Sequence, residues 1–115
     1  MKVSIIIPVL NPTSRLVTLT NELIKNKFND IVVVDDGSTN DYKSIYKKLN
    51  KNIRVMYHSV NLGKGAAIKT GIKNIKTDAY ITVDADFQHS DNDIINISEE
   101  LKNNDVVNYL LNAVN

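Results

Sequence analysis

The chain contains no cysteine, which excludes disulfides, thiolate metal sites and cysteine nucleophiles together. It has no long apolar run either. The longest, Ile5 to Leu10, is far below the roughly 20 residues that span a bilayer. That run leads into polar sequence without a small-residue cleavage site, so no secretory signal is expected. An excess of one charge is also missing. The net charge is +1 and the basic residues are spread along the chain, so neither nucleic acid nor an acidic membrane is indicated as partner. The expected compartment is the cytoplasm. What remains is an ordinary globular composition, 43% hydrophobic and 23% charged, in 115 residues, enough for one core but not for two.

Val3 to Val9 is apolar at nearly every position, the pattern of a strand covered on both faces. Pro8 cannot donate to a ladder and marks that strand's exit. Leu16, Leu19, Leu23 and Ile24 then recur at helical spacing up to Lys27. Ile31 to Val34 predicts a second strand, closed by the turn-forming Asp35-Asp36-Gly37-Ser38-Thr39. A short helix is expected over Tyr42 to Leu49 with Ile45 and Leu49 inward, and a third strand over Ile53 to Tyr57. After the loop Asn61-Leu62-Gly63-Lys64-Gly65, a helix should turn Ala67, Ile68, Ile72 and Ile75 inward. Ala79 to Val83 reads as a fourth strand, and Ser90 as the cap of a helix carrying Ile94, Ile97 and Leu101. Val106–Val107 reads as a fifth strand, with the rest of 105–111 open between strand and helix.

Strand and helix alternate, which predicts an α/β domain: a mostly parallel sheet of four or five strands flanked by helices, joined by right-handed crossovers. Ligands of such sheets bind beyond the carboxyl ends of the strands. The unusual loops, at 8–12, 35–39, 61–65 and 84–89, all follow strands, so the fold should gather them at one edge.

Asp84 and Asp86 stand one residue apart at the end of a buried strand, and on an extended backbone they point the same way. Two like charges that close resist ionising unless a cation lies between them. Mg²⁺ or Mn²⁺ would take one or two carboxylates and complete its shell with water and substrate phosphate oxygens. Gln88 is either a third ligand or the maker of a loop hydrogen bond; His89 either coordinates, meets a phosphate, or is solvated. Asp35 and Asp36 could accept from a base imino group, hold a ribose hydroxyl, or cap the next helix. The expectation is Asp35 toward the ligand and Asp36 structural, with Gly37 serving backbone geometry. Gly63-Lys64-Gly65 precedes a helix and is either an anion seat with Lys64 adding charge or a plain turn. It is neither a Walker loop nor a Rossmann fingerprint.

Taken together, 4–9, 31–39, 61–67 and Asp84-Ala85-Asp86-Phe87-Gln88-His89 resemble family 2 glycosyltransferases of the GT-A fold, most closely the branch that makes polyprenyl- or dolichyl-phosphate mannose and glucose. The resemblance implies a single nucleotide-sugar-binding half-domain over 1–115, Rossmann-like in architecture, that binds a UDP- or GDP-hexose for inverting transfer to a lipid phosphate or glycan. It places Pro8, with its neighbours Leu10 and Asn11, around the base. Val33 and Asp35 would contact the nucleoside, and Asp84 and Ala85 the ribose and diphosphate. Asp86 and Gln88, with Asp84, would hold Mg²⁺ or Mn²⁺. Where the family commonly shows Tyr-Asn-Glu after the proline, Leu10-Asn11-Pro12 stands here, leaving the base unspecified. Family catalytic domains run well past 200 residues, so the general base and the acceptor site are expected beyond residue 115. A polyprenyl phosphate acceptor would place the protein at the membrane periphery.

Two rivals follow. One is a nucleotide-holding module without turnover, completed by another chain or a second copy of itself. The other is a phospho-receiver domain, in which the aspartate pair should follow the first strand rather than the second.

Overall fold

A computed structural model describes residues 2–85 and 108–110. The elements run β1 (Val3–Val9), α1 (Arg15–Lys25), β2 (Asp30–Asp35), α2 (Lys43–Tyr46), β3 (Arg54–Tyr57), α3 (Lys64–Lys73), β4 (Ala79–Thr82) and β5 (Asn108–Leu110). All pairings are parallel and the strand order is β3-β2-β1-β4-β5. This is the order of a Rossmann-like sheet; a receiver domain has its first strand beside the third, so that rival is excluded. The expected helix after Ser90 and the expected strand at Val106–Val107 lie outside the described residues. A fifth strand is observed at Asn108–Leu110, within the segment left open between strand and helix.

The sheet is covered on both faces, as its continuous apolar runs require. One face of β1, β2 and β4 sends Ile5, Ile7, Val9, Ile31, Val33, Ile81 and Val83 into a core with Leu16, Leu19 and Leu23 of α1. Phe28, Leu49 and Ile53 close that core from the connecting segments. The alternate residues Val32 and Val34 meet Ala67 of α3 on the opposite face.

Two expectations are corrected. The helix expected over Tyr42 to Leu49 is a short 3-10 turn, Asn40–Tyr42, followed by one turn of α-helix. Beyond it Lys48 and Leu49 donate only three residues back, to Ile45 and Tyr46, so the coil tightens there. Leu49 still reaches the core and Ile45 packs at its margin. After β3, Ala67 is buried and Ile75 packs against the cluster as expected, but the other buried residue of α3 is Gly71, while Ile72 is exposed. The cause is contact distance. A Cβ on Gly71 would lie 2.5 Å from Cγ2 of Ile6, so the helix is seated on β1 through its smallest residues rather than its isoleucines.

The amino end of the sheet is pinned by polar side chains. The buried Ser4 hydroxyl donates to the Asp30 carboxylate and lies 2.7 Å from the Thr77 hydroxyl. Arg54 pairs with Asp30 at 2.7 Å and donates to the Asn74 carbonyl. These contacts leave the carboxyl end as the edge with unspent chemistry. There, β1 pairs with β4 only from Val3 to Ile6, with one further bond from Val83 N–H to the Ile6 carbonyl. The β1–β2 pairing continues to Val9 and Asp35. Pro8, with no N–H to offer, stands where the β1–β4 ladder stops. The order in which strands are added also reverses between β1 and β4, which makes this gap the switch point of the sheet, where a crevice is expected.

Gly71→Ala should lose roughly 1–3 kcal/mol of stability by overpacking against Ile6, despite alanine's helix advantage of about 1 kcal/mol. Urea denaturation checks this; equal or greater stability would show that the helix can move away from the sheet at no cost.

Candidate functional site

Four loops at the carboxyl edge touch one another in a chain of contacts. Asn11 holds a left-handed backbone, φ 53°, which asparagine tolerates well, and its N–H donates to the Ser38 hydroxyl at 2.7 Å. That bond joins the loop after β1 to the loop after β2. Gly37 has φ +85°, and a Cβ there would lie 2.5 Å from the backbone of Val60 and Asn61. Only glycine allows both the conformation and the approach, and the loops after β2 and β3 are thereby stacked. Lys64, first residue of α3, brings Nζ to 3.6 Å from an Asp84 carboxylate oxygen just past β4.

The two aspartates after β2 are both committed to this framework. Asp35 is 2% exposed. Its Oδ1 accepts from the N–H groups of Gly37 and Ser38 at 3.0 and 2.7 Å, and its Oδ2 accepts from the Tyr46 hydroxyl. Burial, then the hydrogen bond to Asp35 and its charge, push the Tyr46 hydroxyl well above the ordinary tyrosine value. Tyr46 in turn meets Tyr57 edge to face, with ring centroids 5.6 Å apart, while Tyr57 itself is largely exposed. Asp36 accepts from Leu62 N–H at 2.8 Å, Gly63 N–H at 2.9 Å and the His58 ring at 2.8 Å. Burial works to raise its carboxyl, but those donors outweigh it and hold the group below its ordinary 3.8.

Of the remaining expected site residues, Leu10 and Asn11 are exposed on the rim and Gly37 is half-buried. Lys64 and Asp84 keep 46% and 33% of their side chains in solvent. Pro8 and Ala85 are buried at the base of the crevice. Val33 is fully buried in the α1-side core, paired with Ile7 and Val55 two positions before β2 ends. Asp86, Gln88 and His89 lie outside the described residues.

Among the described residues no three acidic or histidine side chains gather as a metal cluster. Asp84 alone of the expected ligands is described. It is a partly exposed hard-oxygen donor that already draws a cation toward it, chemistry that suits a hard divalent ion. His58 carries no sequence signal as a single residue. Its one hint is position, directly after a strand and across the rim from an aspartate pair.

A parallel sheet with this order, a crevice at its switch point and charged loops around it define a Rossmann-like α/β domain. The chain belongs to glycosyl transferase family 2, whose profile matches residues 4–114. It is 35% identical over 96 residues to an uncharacterized protein of Methanocaldococcus jannaschii, covering 81% of this chain and 39% of that one. It is 28% identical over 117 residues to the UDP-N-acetylglucosamine–dolichyl-phosphate N-acetylglucosaminyltransferase of Methanococcus voltae, covering 86% and 47%. To the dolichol-phosphate mannosyltransferase of Pyrococcus furiosus it is 31% identical over 108 residues, covering 90% and 31%. The chain thus spans less than half the length of these relatives.

Because the folded-state pKa of Asp36 is lowered, its contribution to stability is complete above the unfolded value, about 3.9, and is lost as pH falls through the folded value. Stability measured by urea denaturation at a series of pH values should therefore fall more steeply below about pH 4 in wild type than in Asp36→Asn. Equal slopes would show that this carboxylate is not held by its donors.

Proposed function

We propose that the domain binds the donor of a glycosyl transfer, a nucleoside diphosphate sugar of the UDP- or GDP-hexose kind, across the crevice between β1 and β4. The observation that carries this reading is the Lys64–Asp84 pair at the crevice mouth, joined by continuous contacts to the loops after β1, β2 and β3. An ammonium group and the N–H groups at the start of α3 suit a diphosphate, and a carboxylate opposite them suits the metal ion that a diphosphate carries. Asp84, with Asp86 and Gln88, would hold Mg²⁺ or Mn²⁺. When bound, such an ion offsets negative charge gathering on the departing diphosphate. Leu10 and Asn11 would flank the base, above the buried Pro8. Asp35 and Gly37 would shape the wall beside the nucleoside, and Ala85 would let the backbone approach the ribose.

Transfer would proceed with inversion. An oxygen of the acceptor attacks the anomeric carbon as the bond from that carbon to the diphosphate oxygen breaks, and the bonding electrons leave with the nucleoside diphosphate. A polyprenyl phosphate acceptor is already ionised and needs no strong protein base; two of the relatives carry dolichyl or dolichol phosphate in their names. The acceptor site, and a general base for a glycan acceptor, are assigned to the part of the relatives that this chain does not match. Among the described residues no helix is long and apolar enough to cross a membrane. A cytoplasmic position peripheral to the membrane fits a lipid-phosphate acceptor.

Calorimetry with UDP and GDP should give Mn²⁺- or Mg²⁺-dependent binding of one of them, and Asp84→Asn or Asp86→Ala should weaken it by tenfold or more, the scale of a lost charge-assisted contact. Unchanged affinity in EDTA would remove the metal from the reading, and no binding of either nucleotide would overturn the donor site itself. Binding without sugar transfer to polyprenyl phosphate would favour the module completed by another chain.

A further inference from the structure

His58 lies directly after β3 with 9% of its side chain exposed, and its backbone N–H and both ring nitrogens are engaged. Its N–H donates to the Asp35 carbonyl at 2.8 Å. Its Nδ1 is 2.8 Å from Oδ1 of Asp36, and its Nε2 is 2.8 Å from the Thr70 hydroxyl, on the sheet-facing side of α3. An ionised carboxylate only accepts, so Nδ1 carries the proton and donates; in the neutral ring Nε2 then accepts from Thr70. Asp36 uses its oxygens to hold the N–H groups of Leu62 and Gly63. Gly63 caps α3 in a left-handed conformation, φ 101°, and the next residue is Lys64. The ring thus ties the body of α3 to the carboxylate that fixes the loop in front of it.

We infer that His58 is a positioning residue of the donor site: acting through Asp36, it sets the Leu62–Gly63 backbone and so holds Lys64 beside Asp84. The inference rests on the donor-site reading only for its effect on ligand. Its structural half concerns five side chains and two backbone N–H groups and can be tested without any ligand. A histidine that merely filled space would be replaced equally well by any side chain of similar size. One that works through Nδ1 would not. Asparagine can place an amide N–H near the position of Nδ1 and keep the bond to Asp36. Glutamine reaches the position of Nε2, keeping Thr70 and losing Asp36.

The test uses the full chain as wild type, His58→Asn and His58→Gln, each checked for equal global stability by urea denaturation. Amide hydrogen exchange is read at Leu62 and Gly63, against core amides of β1 and β2 as the internal standard. Exchange at the two loop positions should rise at least tenfold in His58→Gln and stay near wild type in His58→Asn, with core amides unmoved. Calorimetry with UDP and GDP in the presence of Mn²⁺ should show the same order, affinity falling about tenfold in His58→Gln, the scale of one charge-assisted hydrogen bond, and much less in His58→Asn. Equal loop exchange in both variants overturns the inference. If the exchange splits as expected but affinity does not, His58 orders the loop without positioning the site, and the inference also fails. Should wild type bind neither nucleotide, the donor-site reading falls, and the role of His58 in holding Lys64 is decided by the exchange data alone.

Discussion

A carboxylate removed from water must be met by donors or it destabilises the fold by several kcal/mol. Asp36 is such a group, and its donors come from well beyond its own loop: the N–H groups of Leu62 and Gly63 and the ring of His58. The requirement to satisfy one buried charge therefore dictates where the loop after β3 must sit, and with it the first turn of α3. Asp35 does the same work within its own loop, through Gly37 and Ser38. An aspartate pair at the exit of a parallel strand here acts first as an organiser of backbone.

The second constraint is geometric. β1 is the one strand with partners that run on to different lengths, β2 to its last residue and β4 only to Ile6. A proline at position 8 costs the ladder nothing on the β2 side and ends it on the β4 side. The opening so formed coincides with the reversal of strand order, the place where α/β sheets present strand ends to ligands. Fold and crevice thus share one local cause. Family membership agrees with this architecture, and the match over residues 4–114 includes every loop of the rim.

Much of this was legible in the sequence, for physical reasons that differ by element. β1, β2 and β4 are covered on both faces, so their continuous Ile and Val runs stand out, and α1 shows helical spacing because its other side is wet. The inward face of α3 was misread because contact with Ile6 favours the small Gly71 over Ile72, and hydrophobic spacing is blind to distance of approach. The helix after β2 was overextended for a related reason: Leu49 does enter the core, but from a tightened turn. At the rim, residue types named the chemistry while the division of labour stayed hidden. Whether an aspartate faces a ligand or its own loop depends on N–H groups more than twenty residues away, as Asp36 shows.

β3 ends the sheet on one side, and its outer row of backbone groups has no strand partner among the described residues. Exposed borders of this kind can template pairing between molecules. Here the strand is four residues long and opens on Arg54, whose guanidinium is clamped to Asp30 and the Asn74 carbonyl. A border of only four residues offers few backbone groups for a second sheet to pair with in register, so the brevity of β3 limits the template that this side of the sheet presents.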